Sequence, residues 1–283
     1  MKKQFFQICL LSGLFALLNM NGAMAQLTEF KLIPYRKGEL WGYADITKKI
    51  VIAPEYTEAN FFVEGHAIVR KIMDINGKKT GAYGVIDGKN KVVVPIKYYD
   101  IRFQKDTKGK LIFECVPLAL KETYDYYGID GKQITPKPDI EQSLAKRKTA
   151  VIPSNVEPVQ NGELYGLLRD GKDTVASAKY QMMASTTNGY FLAAYSGKFG
   201  IIDVKGGIAV PFEYMRANPM GTGFAVVKDK TLKEGFVSPE YKYTIPCKYF
   251  KVTKEYGKFI EVKLEGSRNL CIIGSDGTEY CEE

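Results

Sequence analysis

The chain is poor in the residue on which many enzymes and metal sites depend, because histidine occurs once in 283 residues, as His66. Ser-His-Asp and Cys-His triads need a histidine base, and most catalytic zinc centres need two or three histidine ligands. One histidine cannot serve such sites. His66 stands between Gly65 and Ala67 at the start of a predicted strand, so we predict a structural or surface role for it.

Cysteine is also scarce, with five residues, and no two have the Cys-x-x-Cys spacing of a metal or redox centre. No glycine-rich phosphate loop leads from a strand into a helix. We therefore predict no catalytic, cofactor-binding or metal-binding residues. Cys271 and Cys281 flank the turn sequence Gly274-Ser275-Asp276-Gly277, which would bring their sulfurs together across a hairpin. We hypothesise a disulfide there, and two free thiols are the alternative.

Long apolar runs are absent after Leu18, so no later segment is expected to span a membrane. Before that point, Lys2 and Lys3 precede the apolar run Phe5–Leu18, and Ala23-Met24-Ala25 follows it. A charged start, a short apolar run and small residues predict a signal peptide at 1–25, helical and cleaved after Ala25. A membrane anchor is the alternative, but the run is shorter than a spanning helix. The mature chain is expected in the periplasm, at the cell surface or secreted.

No strong block of one charge is present, although the chain has 40 Lys and Arg against 32 Asp and Glu, a formal net charge of +8. The lysines are scattered singly or in short runs such as Lys48-Lys49, which is typical of a solvated surface. A nucleic-acid partner is not expected, because such partners select concentrated basic patches and an exported chain would not meet them.

Repetition is the main feature that is present. An aromatic residue next to glycine recurs at intervals of 34 to 44 residues, which predicts tandem copies of one unit. The pairs are Trp41-Gly42, Tyr83-Gly84, Tyr127-Gly128, Tyr165-Gly166 and Phe199-Gly200; a sixth unit has Gly235 followed by Phe236, and in a seventh Leu270-Cys271 takes the place of the pair.

Each unit contains short strands. Runs such as Val85-Ile86-Asp87-Gly88 combine β-branched residues with a tight turn. A second apolar run follows and is expected to end at a proline, with tyrosine shortly after it, as in Pro211 and Tyr214. A third run, such as Phe224–Val227, adds a further strand. About three antiparallel strands per unit cannot bury their faces alone, so the units must pack on one another.

These residues resemble the WG-repeat family, also called KWG repeats. The resemblance rests on Trp41-Gly42-Tyr43, on Tyr83–Asp87 and on Phe199–Asp203 with its following proline and tyrosine, and it covers nearly all of 27–283. The third, fourth and seventh units depart from the pattern. The resemblance implies an all-β repeat architecture and an interaction scaffold, with no shared active site.

The predicted organisation is a signal peptide at 1–25, repeats 1–3 at 26–136, an insertion or hinge at 137–160, and repeats 4–7 at 161–283. The insertion contains Pro138, Pro153 and Pro158. Because unequal intervals and an insertion would disturb ring closure, we favour an open curved array. A propeller-like ring is the alternative.

The predicted function is an exported, non-catalytic scaffold that binds a protein or an envelope glycan. One alternative is a carbohydrate-active enzyme that uses turn carboxylates, and a purely structural envelope protein is another. The carboxylates in question are Asp45, Asp87, Asp130, Asp203 and Asp276, all in repeat turns where aspartate is favoured for hydrogen bonds to the backbone. The tyrosines outside the best-patterned positions are expected at the surface: Tyr124, Tyr126, Tyr127, Tyr241 and Tyr243.

Overall fold

The computed structural model describes residues 31–75, 77–119, 123–135, 137–139, 155–187, 189–266 and 269–282. These residues form 24 strands and no helix, so the predicted all-β class is confirmed. The predicted signal peptide lies outside the described residues, as does most of the predicted insertion. No helix in the described part of the chain is long and apolar enough to cross a membrane.

The strands fall into seven repeats, numbered by the strand that carries the aromatic-glycine pair or its equivalent. Repeat 1 contains β1 (Ile33–Lys37), β2 (Leu40–Ala44) and β3 (Ile50–Tyr56). Repeat 2 contains β4 (Glu58–Ala59), β5 (His66–Ile75), β6 (Lys78–Asp87) and the first half of β7 (Val92–Lys105). Repeat 3 contains the second half of β7, β8 (Leu111–Pro117) and β9 (Asp125–Gly128).

The second half of the chain continues the series. Repeat 4 contains β10 (Val156–Asn161), β11 (Leu164–Arg169) and β12 (Asp173–Tyr180), and repeat 5 contains β13 (Met182–Ser185), β14 (Phe191–Tyr195), β15 (Lys198–Ile202) and β16 (Ile208–Tyr214). Repeat 6 contains β17 (Arg216–Met220), β18 (Gly223–Val227), β19 (Glu234–Ser238) and β20 (Tyr243–Tyr249). Repeat 7 contains β21 (Lys251–Tyr256), β22 (Phe259–Lys263) and β23 (Leu270–Gly274), followed by the terminal β24 (Cys281–Glu282).

Within a repeat the strands pair antiparallel in chain order. Repeats 2 and 3 share one six-stranded sheet because β7 runs without interruption from one into the other. β10 begins at Val156, inside the segment 137–160, so the fourth repeat starts well before its Tyr165-Gly166 pair.

The strand after the aromatic-glycine strand carries a bulge. Trp41 lies opposite Tyr56 while Tyr43 lies opposite Ile52, so two extra residues of β3 bulge outward between these pairs. The same excess of two residues on the bulged strand occurs in repeats 2, 4, 5 and 6. The expectation that proline ends the apolar strand is wrong, since β3 continues through Pro54. The bulge has no regular ladder there, so a residue without an N–H is tolerated.

The bulge explains the glycine of the pair. A Cβ on Gly42 would lie 2.3 Å from the carbonyl oxygen of Ile52 and 2.7 Å from the nitrogen of Pro54, and one on Gly235 would lie 2.4 Å from the carbonyl oxygen of Ile245. In these two repeats the glycine makes room for the main chain of the bulge.

A buried tyrosine that follows the bulge joins repeat 1 to repeat 2 and repeat 6 to repeat 7. Tyr56 donates to Asn90 Oδ1 at 2.6 Å, and Tyr249 donates to Glu279 Oε1 at 3.0 Å. Apolar clusters also lie across repeat boundaries; one combines residues of repeats 5 and 6, and another residues of repeats 6 and 7. The core is therefore shared between neighbours, as a collective repeat array requires.

The first and last repeats are also neighbours. β24 pairs in parallel with β1, placing Arg36 beside Cys281. The Tyr280 hydroxyl donates to the carbonyl oxygen of Ile46 at 3.2 Å, the same kind of contact that Tyr56 makes with the turn of repeat 2. The favoured open array, with two free ends, does not predict this contact, whereas the alternative ring does. The insertion at 137–160 does not prevent it.

Candidate functional site

The turn aspartates bind their own backbone. Asp45 Oδ1 accepts from the Thr47 and Lys49 amides at 2.8 and 3.1 Å, and Asp203 Oδ1 accepts from the Lys205 and Gly207 amides, both at 2.8 Å. Asp87, Asp130 and Asp276 accept in the same way. The hydrogen bond from the Thr47 hydroxyl lowers the pKa of Asp45. The predicted turn role of these carboxylates is confirmed.

His66 lies between two repeats. Its Nδ1 is 2.9 Å from the carbonyl oxygen of Glu64, its Nε2 is 3.2 Å from that of Ile129, and its ring packs against Phe113 at 5.3 Å between centroids. It thereby connects repeat 2 with repeat 3, in agreement with the predicted structural role. Among the described residues, no three His, Cys, Asp or Glu side chains converge as metal ligands.

Two of the cysteines form a disulfide, and a third packs in the core as a free thiol. Cys271 and Cys281 form a disulfide, with 5.5 Å between their Cα atoms, which confirms the hypothesised bridge. It ties β24 to β23 next to the pairing of β24 with β1. Cys115 is a free thiol in the core between repeats 2 and 3, where burial raises its pKa to about 12 and keeps it protonated and unreactive.

The predicted surface tyrosines divide into two groups. Tyr124 is exposed, but Tyr126 and Tyr127 are buried, so the expectation for these two is wrong. They lie on β9, where Tyr127 bonds the Tyr98 hydroxyl at 2.8 Å. Tyr243 is partly buried and donates to the carbonyl oxygen of Gly257 at 2.8 Å. Tyr241 is partly buried as well.

Repeat 6 places a carboxylate where other repeats have the aromatic residue. Glu234 lies opposite Tyr249, as Trp41 lies opposite Tyr56. Its side chain is 3% exposed, and its oxygens lie 3.1 Å from Arg216 Nη2, 2.9 Å from Lys251 Nζ and 2.9 Å from the Val252 amide. A buried charge with three donors is satisfied, and here it joins repeats 6 and 7.

A pocket of about 420 Å³ lies at the boundary of repeats 4 and 5. Strand β12 supplies one wall, and the β14–β15 hairpin with β16 supplies the other. The lining residues are Lys179, Tyr180, Tyr195, Ser196, Lys198, Ile208 and Phe212. They include neither a carboxylate nor the histidine.

Three aromatic rings shape this pocket. Phe212 stacks on the buried Tyr180, with 5.6 Å between centroids and 25° between planes. Tyr195 meets Phe212 at 65° with 5.8 Å between centroids, so the two rings form a corner. Tyr195 is 44% exposed. Phe212 can lie this close to β15 because Gly200 has no Cβ, which would fall 2.8 Å from the ring.

Two lysines add positive charge to the corner. Lys179 Nζ lies 5.4 Å from the centroid of the Tyr180 ring, a cation–π distance. Within the described ranges, neither Lys179 nor Lys198 has an ion pair. The positive charge of Lys198 helps to lower the pKa of Asp229, although the main cause is the hydrogen bond from the Thr231 hydroxyl.

Sequence reasoning did not find the pocket, because its residues come from two repeats and match no motif. The sequence signal that could have indicated it is a departure of repeat 5 from the residues found at the same positions in other repeats. By register, Lys37 in repeat 1 and Lys228 in repeat 6 correspond to Tyr195, and Cys247 corresponds to Phe212. Both large rings are therefore substitutions specific to repeat 5 when it is compared with these repeats.

Three segments of the chain, residues 41–71, 83–106 and 199–230, match a family model described as WG containing repeat. Each segment begins at an aromatic-glycine pair and runs into the next structural repeat. Among curated proteins, none matches the chain significantly.

Proposed function

We propose that this chain, which is a WG-repeat protein, acts after export as a non-catalytic scaffold that binds a protein or a glycan of the cell envelope. The charged start, short apolar run and Ala23-Met24-Ala25 at residues 1–25 support export. The repeat architecture supports scaffolding, because an array of packed sheets presents many similar edges and turns to a partner.

The composition of the pocket between repeats 4 and 5 carries the binding part of the proposal. Its lining has aromatic rings for apolar contact and ammonium groups for charge, which are recognition groups. It has no carboxylate or imidazole to act as a general acid or base. A lining of rings and ammonium groups is suited to hold a ligand.

The carbohydrate-active enzyme requires two cooperating carboxylates, one of them with a raised pKa. The turn aspartates instead accept hydrogen bonds from turn amides. The main cause of the lowered pKa of Asp45 is the hydrogen bond from the Thr47 hydroxyl, and that of Asp276 is the hydrogen bond from the Thr278 amide. These properties favour binding over hydrolysis. A purely structural role predicts no saturable ligand.

The test uses the mature chain, residues 26–283, on an array of envelope glycans and with solubilised envelope proteins. We expect saturable binding without turnover, unchanged in Asp87→Asn and Asp203→Asn. Product formation that one of these substitutions abolishes would show that the chain is an enzyme. The absence of saturable binding to every glycan and protein would leave the structural role.

A further inference from the structure

We propose that the pocket between repeats 4 and 5 binds an acidic sugar residue, whose ring stacks in the corner of Tyr195 and Phe212 while its carboxylate pairs with Lys179 and Lys198. This inference rests on the proposed function and specifies its ligand class.

The ring geometry indicates a cyclic ligand with an apolar face. Tyr195 and Phe212 meet at 65°, so a pyranose can lay one C–H face on a ring and place its edge against the other. Tyr180 supports Phe212 from behind and is itself buried, which holds the corner in place before the ligand arrives. A volume of about 420 Å³ falls in the range of small-molecule sites.

The charges indicate an acid. Lys179 and Lys198 both line the pocket, and no acidic side chain does. Two ammonium groups close to aromatic walls are attractive to a carboxylate because the rings exclude water from one side of the pair. A neutral sugar would use the rings alone.

The corresponding positions at two other repeat boundaries differ from this pocket. Lys97 lies 5.4 Å from the ring of Tyr98, as Lys179 does from Tyr180, but there the position corresponding to Tyr195 is the acidic Glu114. Lys248 lies in the same relation to the next tyrosine and is paired with Glu279 at 2.8 Å. At neither boundary is the position of Tyr195 occupied by an aromatic residue.

The experiment is calorimetric titration of the mature chain with trigalacturonate and with its fully methyl-esterified form, which keeps the rings and loses the charge. We expect one trigalacturonate to bind per chain, and the ester to bind at least about tenfold more weakly than the acid. The affinity for trigalacturonate should fall as salt is added. Lys179→Gln combined with Lys198→Gln should reduce binding of the acid to the level of the ester. Tyr195→Leu should weaken both ligands.

Two controls separate these effects from general ones. Lys97→Gln removes a lysine in the equivalent place of repeat 2, and Tyr99→Leu removes another exposed tyrosine. Both should bind trigalacturonate as the unmodified chain does. Thermal unfolding of every variant checks that the fold is retained, which we expect for Tyr195→Leu because the side chain is 44% exposed.

Equal affinity for the acid and the ester overturns the inference, as does binding that the pocket variants leave unchanged. If the chain binds a neutral glycan or an envelope protein and not trigalacturonate, the inference fails and the scaffold stands. If trigalacturonate binds in the pocket and is hydrolysed, the ligand class holds and the non-catalytic function fails.

Discussion

The glycine of the first aromatic-glycine pair should not tolerate even one added methyl group. In Gly42→Ala the new Cβ would lie 2.3 Å from the carbonyl oxygen of Ile52 and 2.7 Å from the nitrogen of Pro54. Both atoms belong to the main chain of the bulge in β3, so no side-chain rotation can relieve the overlap. The bulge itself must move away by about 1 Å to restore normal contact distances.

The expected cost follows from known limits for overpacking. Forcing extra volume into a packed site costs about 1–3 kcal/mol, and the upper end applies when main chain must move. Replacing glycine by alanine also restricts the unfolded chain, which returns about 0.4–1 kcal/mol. We therefore expect Gly42→Ala to lower the free energy of unfolding by about 2–2.6 kcal/mol. The melting temperature should fall by about 5–10 °C for a chain of this size.

Thermal and urea unfolding of the mature chain, followed by circular dichroism, measures this loss. Gly88→Ala is the matched control, because the nearest atom to its new Cβ is Leu32 Cδ1 at 3.8 Å. Its stability should change by less than about 0.5 kcal/mol. If Gly42→Ala were as stable as Gly88→Ala, the proposed reason for the repeated glycine would be refuted.

Three further predictions concern other parts of the chain. Replacing Cys271 and Cys281 by serine should cost about 2.5–3 kcal/mol of unfolding free energy, given a sequence separation of 10, and reductant should lower the stability of the unmodified chain by the same amount. The pKa of Asp276 is lowered mainly by the hydrogen bond from the Thr278 amide, so the stability that this carboxylate contributes is present above the unfolded pKa of about 4 and is lost as pH falls through the lower folded value. Asp276→Asn should therefore destabilise the chain at pH 7 and have a progressively smaller effect below a pH of about 4. An effect that is independent of pH would contradict this account. Mass spectrometry of the chain recovered from an exporting cell should find its first residue directly after Ala25, and a retained leader would exclude cleavage.

The repeated part of the fold could be predicted from sequence because it depends on local signals. The alternation of β-branched runs with turns such as Asp203–Gly207 defines strands wherever they occur. The disulfide could be predicted for the same reason, since the turn between Cys271 and Cys281 brings the ends of a short segment together. Seven units followed from counting these signals along the chain.

The remaining features depend on which repeat lies beside which. Glu234 is buried because Arg216 of β17 and Lys251 of β21 meet it, and neither of these strands pairs directly with its own strand β19. Tyr126 and Tyr127 look like extra surface tyrosines, yet one bonds Glu114 and the other Tyr98 across strands. The pocket likewise requires residues of two repeats. Register across a boundary decides burial, and it cannot be obtained from periodicity alone.

The pairing of β24 with β1 has a consequence for how the molecule is completed. The family matches at 41–71 and 199–230 each start on the third strand of one sheet and finish on or just after the second strand of the following sheet. The first sheet consequently begins one strand short. Its edge strand β24 is supplied by residues 281–282, and Tyr280 reaches Ile46 across 234 positions of the chain. A growing polypeptide can assemble its middle sheets as they emerge, but β1 can pair with β24 only after residues 281–282 have also been made.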